Sequence, residues 1–209
     1  GGESTDCPAD ACSVALVGVR FTITESTLTT MAEETKNERS PFVDRLPELT
    51  NSKWGGISKE DGEEIVEAIF KQGGDAISEL ISGLQEVDSG EDWQERFLLH
   101  QLAVNASAPA RAKDRKILTK IYTAAALGDG AATIRSFLLQ QLRYVAGASL
   151  APELAPLLED GDPLVLDAVA ATMVSMGKAT EPILHEARKS SRGHAKVAIT
   201  HALGQLSRS

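Results

Sequence analysis

The spacing of apolar positions changes character once along the chain. Over residues 13–24, Ala15, Val17, Val19, Phe21 and Ile23 alternate with smaller or polar residues. A period of two with β-branched members predicts a strand. A single strand cannot bury itself, so it must pair with another segment or lie against helices. From Ser58 onward the period becomes helical. Residues 58–61 form a helix start with acids in the first turn. Ile65, Ile69 and Phe70 follow as one stripe, which Gly73 and Gly74 close. Ile77, Leu80, Ile81 and Leu84 then share a face, so two short amphipathic helices make an antiparallel hairpin.

The cycle repeats to the end of the chain. Helices are predicted over 92–104 with Trp93, Phe97, Leu98 and Leu102 inward, over 109–127 with Ile117, Ile121, Ala124 and Leu127, and over 131–146. Pro152 opens a short helix to Leu158. Gly161-Asp162-Pro163 is a turn with proline at the start of the next helix. Three more helices are predicted over 164–176, 181–189 and 194–206. Residues 1–12 are a polar leader. Residues 25–57, with Pro41, Pro47 and Gly55-Gly56, are irregular around a short helix within 27–35 and are expected to cap or wrap the first hairpin. The expected division is a non-repeat leader or cap at 1–57 and a helical region at 58–209.

The helical region is internally repetitive. Residues 97–102 (FLLHQL) return at 137–142 (FLLQQL) with five of six positions identical. The pattern places Phe97/Phe137, Leu98/Leu138 and Leu102/Leu142 on an inner face. Leu142, Met173 and Leu203 hold one place in their helices with steps of 31 and 30, and Leu102 to Leu142 is a longer step of 40 that contains the long helix 109–127. Periods of this size signal stacked helical hairpins. A turn recurs as well: Gly74-Asp75-Ala76 precedes Leu80-Ile81, and Gly177-Lys178-Ala179 precedes Ile183-Leu184.

These features resemble HEAT repeats, particularly the short variety of phycobilisome-lyase type, across about residues 60–207. Ile134-Arg135 fits the family's Val-Arg start, Ala202-Leu203-Gly204 its Ala-Leu-Gly middle, and Gly177-Lys178-Ala179 with Pro182-Ile183-Leu184 its turn and second helix. Leu166 and Lys196 depart from the Arg position, and Trp93 and Tyr144 are bulkier than the pattern. The resemblance implies an all-α fold, an α-α superhelix or HEAT-like solenoid, whose exposed side chains hold a partner. It implies no particular activity.

Charge narrows the partner. The net charge is -9, with -8 carried by residues 51–100 and +5 by residues 101–150. An acidic total disfavours nucleic acid, whose affinity rests on neutralising many phosphates. The basic residues concentrate in one predicted helix, where Arg111 and Arg115, and Lys116 and Lys120, are spaced to share faces. These four are the candidate partner-binding residues, for an acidic partner or a phosphate backbone. A solvated face, or one satisfied by the chain's own acidic half, is the plainer reading. No stretch reaches the ~20 apolar residues of a membrane span.

No catalytic, cofactor-binding or metal residue is assigned. His185, His194 and His201 cluster near the C-terminus without a supporting carboxylate or cysteine pattern and are taken as surface or interhelix residues. No phosphate loop, nucleophile elbow or HExxH sequence occurs. Cys7 and Cys12 are spaced to form one small disulfide loop, and the pairing stays open. The start at Gly1-Gly2, as in a mature chain after signal removal, favours export slightly over the cytoplasm. The expected function is a non-enzymatic protein-binding or scaffold module. The alternative is an enzyme or enzyme accessory, lyase-like or nucleic-acid-processing, centred on Asp92-Trp93 or the basic helix.

Overall fold

The computed structural model describes residues 39–46, 59–87 and 90–208. The chain divides into two compact units, Gly1–Lys36 and Asn37–Ser209. The strand expected at 13–24, the helix expected within 27–35, and Cys7 and Cys12 lie outside the described residues. Among the described residues there are nine α-helices and no strand: α1 (Lys59–Gln72), α2 (Gly74–Ser82), α3 (Trp93–Ala106), α4 (Ala112–Leu127), α5 (Ala132–Val145), α6 (Ala151–Leu154), α7 (Pro163–Ser175), α8 (Glu181–Ser190) and α9 (Gly193–Leu206). The fold is all-α. Helices α1, α3, α5, α7 and α9 pack each against the next. On the other side α2 packs on α4, and α8 packs on the 3-10 turn Ala155–Glu159 that continues α6.

One hydrophobic core runs from Phe42 to Leu206. Its centre is α5, which packs against α3, α4 and α7 and buries Leu138, Leu139 and Leu142 completely. Each such leucine removes about 1.5–3 kcal/mol of apolar surface from water. The matching Leu98, Leu99 and Leu102 of α3 are buried to the same degree. The phenylalanines that open the two hexapeptides do not join them. Phe97 and Phe137 are half-buried on the rim of the core. A residue one step before Leu98 lies about 100° round the helix, so Phe97 turns away from the leucine side. There it meets Trp93 at 6.4 Å between ring centroids, and the Arg96 guanidinium lies 4.9 Å over the Phe137 ring.

Helix α4 is rotated relative to expectation. Its fully buried side is Leu118, Tyr122 and Ala126, while Ile117, Ile121 and Leu127 are only partly covered and Ala124 is exposed. The Tyr122 hydroxyl fixes that rotation by donating to the Leu99 carbonyl of α3 at 2.7 Å. Burial pushes its phenol well above the ordinary range. A second such tie joins α7 to α5, where the Thr172 hydroxyl lies 2.8 Å from the Leu139 carbonyl oxygen. A third joins α3 to α5, between His100 Nδ1 and Gln141 Oε1 at 2.8 Å.

Arg135, in the first turn of α5, links three segments. Its Nε donates to the Ala126 carbonyl near the end of α4 at 2.9 Å, and its other nitrogen meets Asp160 at 2.7 Å. Burial acts most strongly on Asp160 and would raise its pKa. The Asp162 N–H and the Arg135 guanidinium together outweigh it and hold the carboxyl below its ordinary 3.8.

The turns also refine the register. Gly73 and Gly177 share one left-handed conformation, with φ of 96° and 84°. Gly177 therefore corresponds to Gly73 rather than to Gly74. That shift of one pairs Leu80 with Leu184, both fully buried, and Ile69 with Met173, also both fully buried. A left-handed residue at a helix end favours glycine because any Cβ there is strained.

Residues 39–46 belong to the helical unit although they precede Ser58. Phe42, Val43 and Leu46 are buried in the common core. Arg39 pairs with Glu95 at 2.9 Å, Arg45 with Glu64 at 2.9 Å, and the Gln94 amide donates to the Leu46 carbonyl at 3.4 Å. These residues contact α1 through the Arg45–Glu64 pair and the start of α3 through Glu95 and Gln94. Glu95 itself is almost fully buried, and its hydrogen bond raises the Arg39 pKa further above its usual value.

Two stability predictions follow from this packing. Leu139→Ala lowers unfolding free energy by about 2–5 kcal/mol, and Phe97→Ala by clearly less; urea denaturation of the two variants checks the order. Asp160→Asn lowers stability at neutral pH by about 1–2 kcal/mol. A carboxyl with a depressed folded pKa stabilises fully above its unfolded value and progressively less as pH falls through the folded one. The deficit of Asp160→Asn therefore shrinks below pH 3.8, which denaturation at a series of acidic pH values reads directly.

Candidate functional site

The four basic residues singled out from the sequence separate into two kinds. Arg111 and Arg115 are occupied within the fold. Arg111, just before α4, pairs with Glu67 of α1 and with Asp114 at 3.1 Å. Arg115 sends one nitrogen toward the carbonyls of Ala106, Ser107 and Ala108, at 3.3, 3.1 and 3.3 Å. The Ala106 and Ser107 carbonyls are acceptors of the kind every helix end leaves open, whereas the Ala108 carbonyl also accepts the Arg111 N–H at 2.9 Å; through them Arg115 closes α3 and anchors α4 to it. A positive charge there also complements the helix dipole.

Lys116 and Lys120 are different. Both are exposed, and neither forms an ion pair with any described residue. They line a groove of about 550 Å³ between α4 and the loop and short helix that follow α5. Its opposite wall is built by Gly147, Ser149, Leu150 and Glu153. The groove exists because α4 has sixteen residues while its neighbour α6 has four. Pro152 and Pro156 sit within that short element and set its start and its tightened turn. Thr119 and Thr123 of α4 line the same groove. The Thr123 hydroxyl is buried there with no hydrogen-bond partner among the described residues.

The positions weighed for other chemistry are used structurally. Asp92 is buried, accepts the Gln85 N–H at 2.9 Å and pairs with Arg96 at 2.9 Å. Its carboxylate therefore clamps the loop before α3 and stacks Arg96 toward Phe137. His194 meets Asp167 of α7 at 2.9 Å, while His185 and His201 are exposed. Among the described residues no group of three or more His, Cys, Asp or Glu side chains is arranged to hold a metal, and no helix is long and apolar enough to cross a membrane.

Reasoning from sequence did not find the groove. A helix wheel shows that Lys116 and Lys120 share a face, but not that the facing helix is too short to cover it. The one available signal was the pair Pro152 and Pro156, which limits the helix between them.

No protein-family model matches the chain, and neither curated proteins nor solved structures yield a match.

The division between the cations is testable by stability alone. Arg115→Ala costs about 1–2 kcal/mol because it strands carbonyls at the end of α3. Lys116→Ala with Lys120→Ala changes stability by no more than about 0.5 kcal/mol. Thermal or urea unfolding of both variants checks the contrast.

Proposed function

We propose that this protein is a protein-binding module built from HEAT-like helical hairpins, and that the groove between α4 and α6 receives an acidic segment of its partner. The observation that carries the proposal is the pair of unneutralised lysines, Lys116 and Lys120, on an open groove in a chain of net charge -9. Elsewhere in the described fold, cations such as Arg39, Arg45, Arg96, Arg111 and Arg135 are taken up by the chain's own carboxylates. Exposed cations without an ion pair also occur elsewhere among the described residues, such as Lys113, Arg143, Lys178 and Lys196, but Lys116 and Lys120 stand together on one groove, where they favour a negative visitor and steer its approach.

The repeating helical hairpins support the HEAT-like reading. Ile69 and Met173, and Leu80 and Leu184, recur at equivalent buried places, as stacked repeats require. Of the candidate residues, Lys116 and Lys120 make the partner contact, while Arg111 and Arg115 hold α4 in position. The enzyme reading around Asp92 has less to support it, since that carboxylate is already bound by Gln85 and Arg96.

Immobilised protein and its Lys116→Glu/Lys120→Glu variant, exposed to extract of the source organism, test the proposal by quantitative mass spectrometry. At least one protein captured by the native chain is expected to drop about tenfold or more on the variant, as two reversed charges at a contact predict. Identical captured sets would refute it, provided the variant melts like the native protein.

A further inference from the structure

We infer that the groove on the far side of α6 takes part in the same binding event, so that the protein recognises an extended acidic peptide carrying an apolar side chain about three residues from its acids. The inference rests on the reading of the α4–α6 groove as the partner site and adds a second contact to it.

The element from α6 to Glu159 is a ridge with two flanks. Leu154, Leu157 and Leu158 are buried in the core, while Glu153 is exposed on the wall toward α4 and Pro152 and Pro156 are exposed on the wall toward α8. The flank toward α4 carries Lys116 and Lys120 across the groove. The flank toward α8 opens on a second groove of about 690 Å³, lined by Ala155, Pro156, Ile183 and Ala187 and, on the ridge side, by the exposed carboxylate Glu159. At its rim Lys189 and Glu186 meet at 2.5 Å and neutralise one another. One groove thus carries Lys116 and Lys120 facing Glu153, and the other is mainly apolar apart from Glu159 and the Glu186–Lys189 pair, with a single helical ridge between them.

The spacing sets the ligand. A helix with its side chains is about 10 Å across, and an extended chain advances about 3.3 Å per residue. A peptide crossing the ridge therefore places side chains in both grooves when they are about three residues apart. The ridge side of the second groove suits such a crossing because the exposed Pro152 and Pro156 present flat rings and no N–H donors. Acidic side chains match the lysines, and an aliphatic or aromatic side chain matches the Ile183 floor. Glu153, on the wall facing the lysines, carries the same sign as the acids and opposes them, which gives a variant of opposite effect.

A display library of random peptides selected on the full chain tests this. Enriched sequences are expected to pair Asp or Glu with Leu, Ile, Phe or Met about three positions away. For a synthetic peptide of the leading sequence, measured by fluorescence anisotropy, Lys116→Glu/Lys120→Glu weakens binding about tenfold or more and Ile183→Asp about tenfold. Glu153→Gln strengthens it by about threefold. Pro156→Asp, at an exposed position in the second groove, weakens binding likewise and serves if Ile183→Asp fails to fold. Loss with the lysine variant but none with Ile183→Asp or Pro156→Asp overturns the second groove and leaves the first. Selected peptides without acids, a library that yields no binder, or binding indifferent to all these variants overturns both.

Discussion

Burial of the α5 leucines is the constraint on which the rest of the unit depends. Leu138, Leu139 and Leu142 are sealed between α3, α4 and α7, so α5 cannot move without opening three interfaces. The polar ties are arranged around the same helix. Thr172 reaches the Leu139 carbonyl, His100 reaches Gln141, and Arg135 holds the end of α4 and Asp160. These bonds join side chains of α3 and α7 and the end of α4 to α5, in a place where a buried polar group left without a partner costs more than a bond returns. Hydrophobic packing sets the position of α5 and the hydrogen bonds set its rotation.

With the first helices locked in a row, the second helices are free to differ in length. Helix α4 runs sixteen residues, α8 ten, and α6 only four before it tightens into a 3-10 turn. A short helix between two longer ones leaves unfilled space on both flanks. The grooves on either side of α6 therefore follow from unequal helix length, not from a separate binding loop. Because the short helix is pinned by Leu154, Leu157 and Leu158, its ridge is held as firmly as the core beneath it.

Much of this order was legible in the chain, and the limits are physical. The hexapeptide repeat and the steps of 31 and 30 marked the first helices, since buried leucines must recur wherever equivalent helices pack. Helix ends came from glycine and proline, whose backbone preferences act locally. The face of α4 was misplaced because Ile117, Leu118, Ile121 and Tyr122 make a stripe wide enough to turn either way. Only the contact of Tyr122 with Leu99, 23 residues away, selects between them. The same holds for the cations. Arg111 and Arg115 looked like Lys116 and Lys120 in the sequence, but the Glu67 that neutralises Arg111 lies 44 residues upstream. Local spacing predicts helices and their faces. It does not predict which charges the fold consumes.

That distinction bears on how function is sought in such a chain. An arginine fixed by a carboxylate and by helix-end carbonyls contributes to the stability of the unit and has little left to offer a partner. A lysine exposed on a groove contributes almost nothing to stability, since surface charges interact weakly through water. The contrast between Arg115 and Lys116, adjacent on one helix, puts that argument on the smallest scale. Arg115 closes α3 while also lining the groove, Lys116 is exposed over it, and the one-residue offset of about 100° gives the two side chains different surroundings.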